Sequence, residues 1–315
     1  MRRVALVDNP ASGALSSRRE ATVRTALEAL ESAGIEVEHL TIDGPGSGAA
    51  LGREAVARGC DAVIVCGGDG TVHEVLQPLV GTRVALGIIP MGTANALASD
   101  LGISKEPAEA IRILLGARPV QVPVGRISFR TMEGVERSHY FTVAAGVGAD
   151  ALLMARMDPV MKRRLGYFLY MLEAFRIWAT HHFPLFRVEY TNGSGTPHAI
   201  EASQLLAVRV RSFGGALGNL VPGATVHSEN LCLVAFKTRS RFRYLRFLLA
   251  VLGKRHTFSN EVELLKADTV DCALPNDSRS RVYVEADGEV LGELPVRIEI
   301  ASKTLTLLIP PHAQP

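Results

Sequence analysis

Cys66-Gly-Gly-Asp-Gly-Thr-Val-His-Glu74 is the stretch of this chain whose residue types and spacing come nearest to chemistry. Gly67, Gly68 and Gly70 carry no Cβ, so the backbone N–H groups around them can close on an anion. The run Asp61-Ala-Val-Ile-Val65 precedes them and Val75-Leu76 follows. The order is buried strand, glycine turn, helix start, and the helix would aim its positive end at the same point. Asp69 is the odd member, because a carboxylate beside phosphates repels them unless a cation or a hydroxyl stands between. The stretch suits magnesium-bound nucleotide phosphates, with Asp69 as the candidate metal ligand. It also suits an ordinary strand-to-helix turn, where Gly-Asp-Gly is common. It is not a Walker A loop, since no Gly-Lys-Ser/Thr occurs, and the dinucleotide spacing G-x-G-x-x-G is absent.

A second turn of the same kind follows. Val84-Ala-Leu-Gly-Ile-Ile89 runs into Pro90-Met-Gly-Thr-Ala-Asn-Ala-Leu-Ala98. Beyond Gly92, Thr93 and Asn95 bring a hydroxyl and an amide to the beginning of a helix. Two such turns at the carboxyl ends of neighbouring strands give a crevice with converging donors. A plain N-cap by Thr93 would account for the second turn as well.

The elements that must position these turns can be read on either side. Residues 3–7 suit a strand, and Ser17 to Glu20 has capping-box spacing at the start of a helix that Gly34 ends. Residues 35–42 form a strand ending at Thr41; a short helix runs to Arg58, and Pro107 opens another through Leu115. Alternating strands and helices predict a parallel sheet covered on both faces. Short alternating strands take over after about residue 120: 120–129, 139–145, 184–190, 204–211, 231–237, 281–286, 289–291, 295–301 and 304–309. Helical stretches interrupt them near 150–180 and 241–253. The expected fold is an α/β N-terminal domain, 1–124 completed by 302–315, and a mainly antiparallel β domain, 125–301.

With 315 residues, 47% hydrophobic and 21% charged, the chain is long enough for two such cores. A net charge of +2 gives no case for a nucleic-acid partner. The first residues are too short an apolar run for a signal peptide, no run reaches a membrane span, and four scattered cysteines fit reduced thiols; a cytoplasmic protein is expected. Residues 237–255 carry seven Lys or Arg and no acid, interleaved with Phe242, Tyr244 and Phe247. Such a segment lies on an anionic bilayer or packs its apolar face on its own domain while the arginines stay wet. Met154, Met157, Met161, Tyr167, Phe168, Tyr170, Met171 and Phe175 suit either an acyl-chain channel or a core. His73-Glu74 lacks the second histidine of a zinc helix.

Gly67-Gly-Asp-Gly-Thr71 with Glu74, followed by Pro90-Met-Gly-Thr-Ala-Asn95, resembles the diacylglycerol kinase catalytic-domain family, including the soluble bacterial lipid kinases and the sphingosine and ceramide kinases. Asn9-Pro-Ala-Ser-Gly13 is similar to that family's first motif and Asp287-Gly-Glu289 to its last, so the set spans nearly the whole chain in order. NAD kinases and phosphofructokinases share a similar first glycine turn. The resemblance implies an enzyme: an ATP-dependent lipid kinase with ATP between the two domains and the lipid entering over the second. Asn9, Thr41, Gly67, Gly68, Asp69, Gly70, Thr71, Glu74, Gly92, Thr93, Asn95 and Glu289 would serve the nucleotide. Asp287 would be the general base toward a lipid hydroxyl, a role the chemistry supports because an alcohol is a poor nucleophile until its proton has a destination. It implies magnesium, transient membrane contact and, as among soluble members, a homodimer. By itself Asp287-Gly288 is a hairpin turn between alternating runs. Gly146-Val-Gly-Ala-Asp150 is similar to the lipid-side motif of sphingosine kinases, where an acid meets the polar head, and Lys162-Arg-Arg-Leu-Gly166 looks like the same group; Asp150 is also a good helix N-cap. Two departures stand out: Ala96 replaces an aspartate, and Pro222-Gly-Ala224 lacks the Asp-Gly that usually follows near a structural magnesium.

Two other functions remain compatible with the residues: a soluble-metabolite kinase of the NAD-kinase type, and a nucleotide-binding regulator without turnover. The basic aromatic segment argues against the first, and the presence of both Asp69 and Asp287 against the second.

Overall fold

The computed structural model describes the chain except residues 13–15, 158–166, 194, 212–220, 222, 253–261 and 314–315. Two compact units result: Met1–Val124 with Ala301–Pro315, and a second drawn from within 125–300.

The first unit is a parallel sheet with helices. Its strands are β1 (Arg3–Asp8), β2 (Glu36–Thr41), β3 (Ala62–Gly67) and β4 (Ala85–Pro90). β1 pairs with β2 on one side and β3 on the other, and β3 pairs with β4, all parallel. β3 and β4 are buried along their whole length, as near-continuous apolar runs in a parallel sheet must be. The end of β15 (Glu289–Ile309) adds to β4 in parallel through Leu307 and Leu86. The helices are α1 (Ser16–Ser32), α2 (Ser47–Ala57), α3 (Asp69–Leu79), α4 (Ala96–Asp100) and α5 (Pro107–Leu115). The order β4-β3-β1-β2 reverses direction between β1 and β3, the place where open α/β sheets bind ligands.

The second unit contains β5 (Arg118–Arg130) from Gly125 onward, β6 (Glu136–Phe141), β7 (Ala144–Gly148), β8 (Phe186–Thr191), β9 (Pro197–Ala202), β10 (Gln204–Val208), β11 (Leu231–Phe236), β12 (Val262–Ala267), β13 (Thr269–Ala273), β14 (Tyr283–Ala286) and the first part of β15. Its strand pairs are antiparallel; β7 lies between β10 and β14, and β11 between β10 and β12. The core draws Phe141, Val147, Phe186, Leu205, Leu233 and Val284 from facing strands. Helices α6 (Ala149–Arg156), α7 (Tyr167–Thr180) and α8 (Arg241–Leu252) complete it. The three segments expected between 289 and 309 are one strand, and β9, β12 and β13 were not among the expected strands.

Candidate active site

In the first unit, the predicted nucleotide residues gather along the carboxyl edge of the parallel sheet. Asn9 follows β1, Thr41 ends β2, Gly67 ends β3 with Gly68 after it, and Gly92 follows β4. Register alone aligns them, since Asp8 pairs with both Thr41 and Cys66, and Gly67 with Pro90.

Hydrogen bonds then tie these loops together. Asn9 Nδ2 donates to Thr71 Oγ1 at 2.8 Å, and Asn9 N–H donates to the Cys66 carbonyl at 3.3 Å. The first and third strand ends are therefore held at the switch point. Asp69 accepts N–H groups from Asn95 at 2.8 Å and Ala96 at 2.7 Å, one on each carboxylate oxygen. The first glycine turn thus supplies the cap of α4, in place of the Thr93 cap suggested above. Asn95, at φ 52°, folds its amide back to accept from Gly92 N–H and donate to Gly92 carbonyl. Glu74 accepts N–H groups of Gly46 at 2.9 Å and Gly48 at 3.0 Å and so anchors the loop before α2.

The two glycine turns touch through their backbones. A Cβ on Gly92 would stand 2.7 Å from Gly68 Cα, so no side chain fits at that crossing. The first turn of α3 carries no side-chain cap, and Thr93 is exposed beside it. An uncapped helix end beside an exposed hydroxyl suits a phosphate. No group of three or more His, Cys, Asp or Glu among the described residues could hold a metal by itself. Each Asp69 oxygen accepts one amide and keeps a second lone pair, so Asp69 fits a magnesium that is held mainly by phosphates.

The second unit holds the other predicted residues. Asp287 and Gly288 form the two-residue turn from β14 to β15, at φ 51° and 86°, the signs a type I′ turn requires. The Asp287 side chain turns inward and the residue is 8% exposed. Its Oδ1 accepts N–H groups from Val143 at 2.8 Å and Ala144 at 3.1 Å; Oδ2 accepts the Thr142 N–H at 3.0 Å and has the Thr142 hydroxyl at 3.4 Å. Asp150 sits in the first turn of α6 without capping it, and hydrogen-bonds the buried Glu285 instead. Glu289 is exposed at the start of β15.

Three residues of this cluster were missed in the sequence. Arg209 is buried after β10, donates to the Val226 and Ser228 carbonyls, and lies within electrostatic reach of Asp287. Desolvation pushes its pKa down to about 10, so it is still cationic at neutral pH. The only signal was a lone cation in the apolar run Ala207-Val-Arg-Val210. Thr142 and Glu285 gave no signal distinct from strand residues. Met161 and Lys162 to Gly166 lie outside the described residues, as do the side chains of 167–171, so the acyl-channel reading falls mostly outside them.

Residues 3–127 match the diacylglycerol kinase catalytic domain, and residues 141–309 match the YegS C-terminal NAD kinase beta sandwich-like domain. A diacylglycerol kinase of Mycobacterium tuberculosis is 31% identical over 98% of this chain and 96% of its own length. The chain belongs to the diacylglycerol kinase catalytic-domain family. Membership makes it an enzyme, an ATP-dependent lipid kinase. A diacylglycerol kinase of Bacillus subtilis is 26% identical over 94% of this chain and 92% of its own. The fold likeness extends to a solved diacylglycerol kinase of Bacillus anthracis, with a TM-score of 0.71, 20% identity, and 99% and 98% of the two chains covered. Yeast NADH kinase shares it more distantly, at a TM-score of 0.52, 11% identity, and 98% and 83% coverage. The lipid kinase family and the NADH kinase thus share one architecture, as the first glycine turn suggested.

Proposed function

We propose that this kinase phosphorylates the hydroxyl of a diacylglycerol or a sphingoid-type lipid. The observation that carries the nucleotide half is the cross-anchoring of the strand-end loops, with Asp69 capping α4 and Asn9 holding Thr71. Loops fixed in this way keep the amides of Gly68, Gly70 and Thr71 at the start of α3 ready for phosphate oxygens, with no reorganisation at the moment of reaction. Thr93 adds a hydroxyl, Thr41 at the end of β2 would help hold the nucleotide, and Glu74 and Asn95 act by holding loops in place. Magnesium would arrive with the triphosphate, whose oxygens and bound waters are its usual ligands.

The Asp287 carboxylate would accept the hydrogen bond of the lipid hydroxyl and take its proton. The hydroxyl oxygen then bonds to the γ-phosphorus as the bond to the β-phosphate oxygen breaks and ADP leaves. The three amides at Asp287 fix its orientation, which counts because positioning supplies much of the rate in phosphoryl transfer. Asp150 would serve the lipid head group.

Membrane contact is supported by an aromatic ridge on α7 and α8. Phe175 is 61% exposed and Phe242 76%, with Trp178 between them at ring distances of 5.5 and 6.3 Å. Arg176 and Arg243 flank it, both exposed. Aromatics with flanking arginines suit the headgroup boundary of an anionic bilayer. No helix among the described residues is long and apolar enough to cross a membrane.

Labelled ATP with a panel of diacylglycerol, a sphingoid base and NAD tests the reading. Label partitioning into the organic phase is expected; label on NAD alone, or none transferred, would refute it.

A further inference from the structure

Glu285 is 3% exposed, yet it belongs to no ion pair among the described residues and has no role in the chemistry above. Its Oε2 accepts the Gly288 N–H at 2.8 Å, inside the turn that carries Asp287. Its other end meets Asp150 in a side-chain hydrogen bond. Gly146 on β7 is the gap that admits both groups: a Cβ there would lie 2.5 Å from Glu285 Oε1 and 2.6 Å from Asp150 Oδ2. Two carboxyl groups can hydrogen-bond each other only if one of them carries a proton.

We propose that Glu285 and Asp150 share one proton, and that this pair is a positioning device clamping the Asp287-Gly288 turn to the first turn of α6. Glu285 Oε1 holds the proton and donates it to Asp150 Oδ2, leaving Oε2 to accept from Gly288. Asp287 in the turn is the third acid facing the pair, and Arg209 after β10 is the cation facing Asp287. Among the described residues a full set of three carboxylates would outweigh that one cation, and the shared proton removes one of those negative charges. Burial and the neighbouring acid push Glu285 well above the usual carboxylate range, in keeping with this arrangement.

The positioning role rests on Asp287 acting at the lipid hydroxyl; the proton sharing does not. In the unfolded chain both groups ionise near about pH 4. The folded chain keeps a proton they would have lost, so stability is full below that pH and falls as the pH rises through the pair's titration. Glu285→Gln keeps the geometry: its amide N–H donates to Asp150, its carbonyl accepts from Gly288, and nothing titrates at that position. The test measures thermal midpoints and the pH–rate profile of full-length wild type and Glu285→Gln from about pH 5 to about pH 9.

Between these limits the wild type should lose at least about 3 °C more of its midpoint than the variant. The alkaline fall of kcat should move up by about one pH unit or more in the variant, with KM for ATP within about twofold. Midpoints that track each other across the range would overturn the shared proton. Diverging midpoints with an unmoved alkaline limb would overturn the clamp on Asp287. Diverging midpoints with no lipid phosphorylated by the wild type would leave the shared proton standing and refute the lipid-kinase reading.

Discussion

Asp287 is constrained separately through its backbone and its side chain. The backbone needs φ above zero, which Asp and Gly tolerate in a two-residue hairpin. The carboxylate is turned onto the amides of Thr142, Val143 and Ala144. The turn could be read from Asp-Gly between alternating runs; the three amides could not, since they come from about 145 residues earlier. Arg209 is the same problem in reverse: a cation in an apolar run looks like a strand edge, and only the fold reveals that every side is covered. Replacing it by methionine would leave the Val226 and Ser228 carbonyls unpaired and Asp287 without its nearby cation. Arg209→Met should therefore cost about 3 kcal/mol or more of stability. Denaturant unfolding checks this, and a loss under about 1 kcal/mol would contradict it.

The glycine turns act as elements rather than as single residues. Their place between strand and helix was legible because glycine, buried runs and helix starts follow one another in sequence. Their cross-links were not, because Asp69 reaching α4 depends on β3 and β4 lying side by side. The same limit explains the strands missed in the second unit. β9 exposes most of its residues and, among the described residues, pairs only with β8, and β12 has charges at Glu263 and Lys266, so neither shows a clean alternation. β13 is five residues long. At this scale Asp69→Ala should cost about 1–2 kcal/mol through loss of the α4 cap, with weaker ATP binding; a variant as stable as wild type would remove the capping role. Gly92→Ala forces a methyl against Gly68 Cα, and should raise KM for ATP by about tenfold or more in steady-state assays. An unchanged KM would mean that the close approach of the turns does not shape the nucleotide site.

For the whole molecule, the question is how a chain with a net charge of only +2 meets a lipid. The basic segment does not present all its arginines to solvent. Arg241 donates to the Ala179 carbonyl, and Trp178 donates to the Arg241 carbonyl, so these groups hold α7 to α8. The exposed aromatics are the better probes. Phe175→Glu with Phe242→Glu should weaken binding to anionic vesicles by about tenfold or more while leaving the fold intact, since each buried aromatic contributes about 1.5–3 kcal/mol. Equal vesicle binding would return both rings to ordinary surface. The most direct test of the whole account is single-turnover transfer from bound labelled ATP to lipid, in wild type and Asp287→Asn. In the variant, ATP affinity should stay within about threefold and transfer should slow by at least about a hundredfold. Transfer within about tenfold of wild type would contradict it.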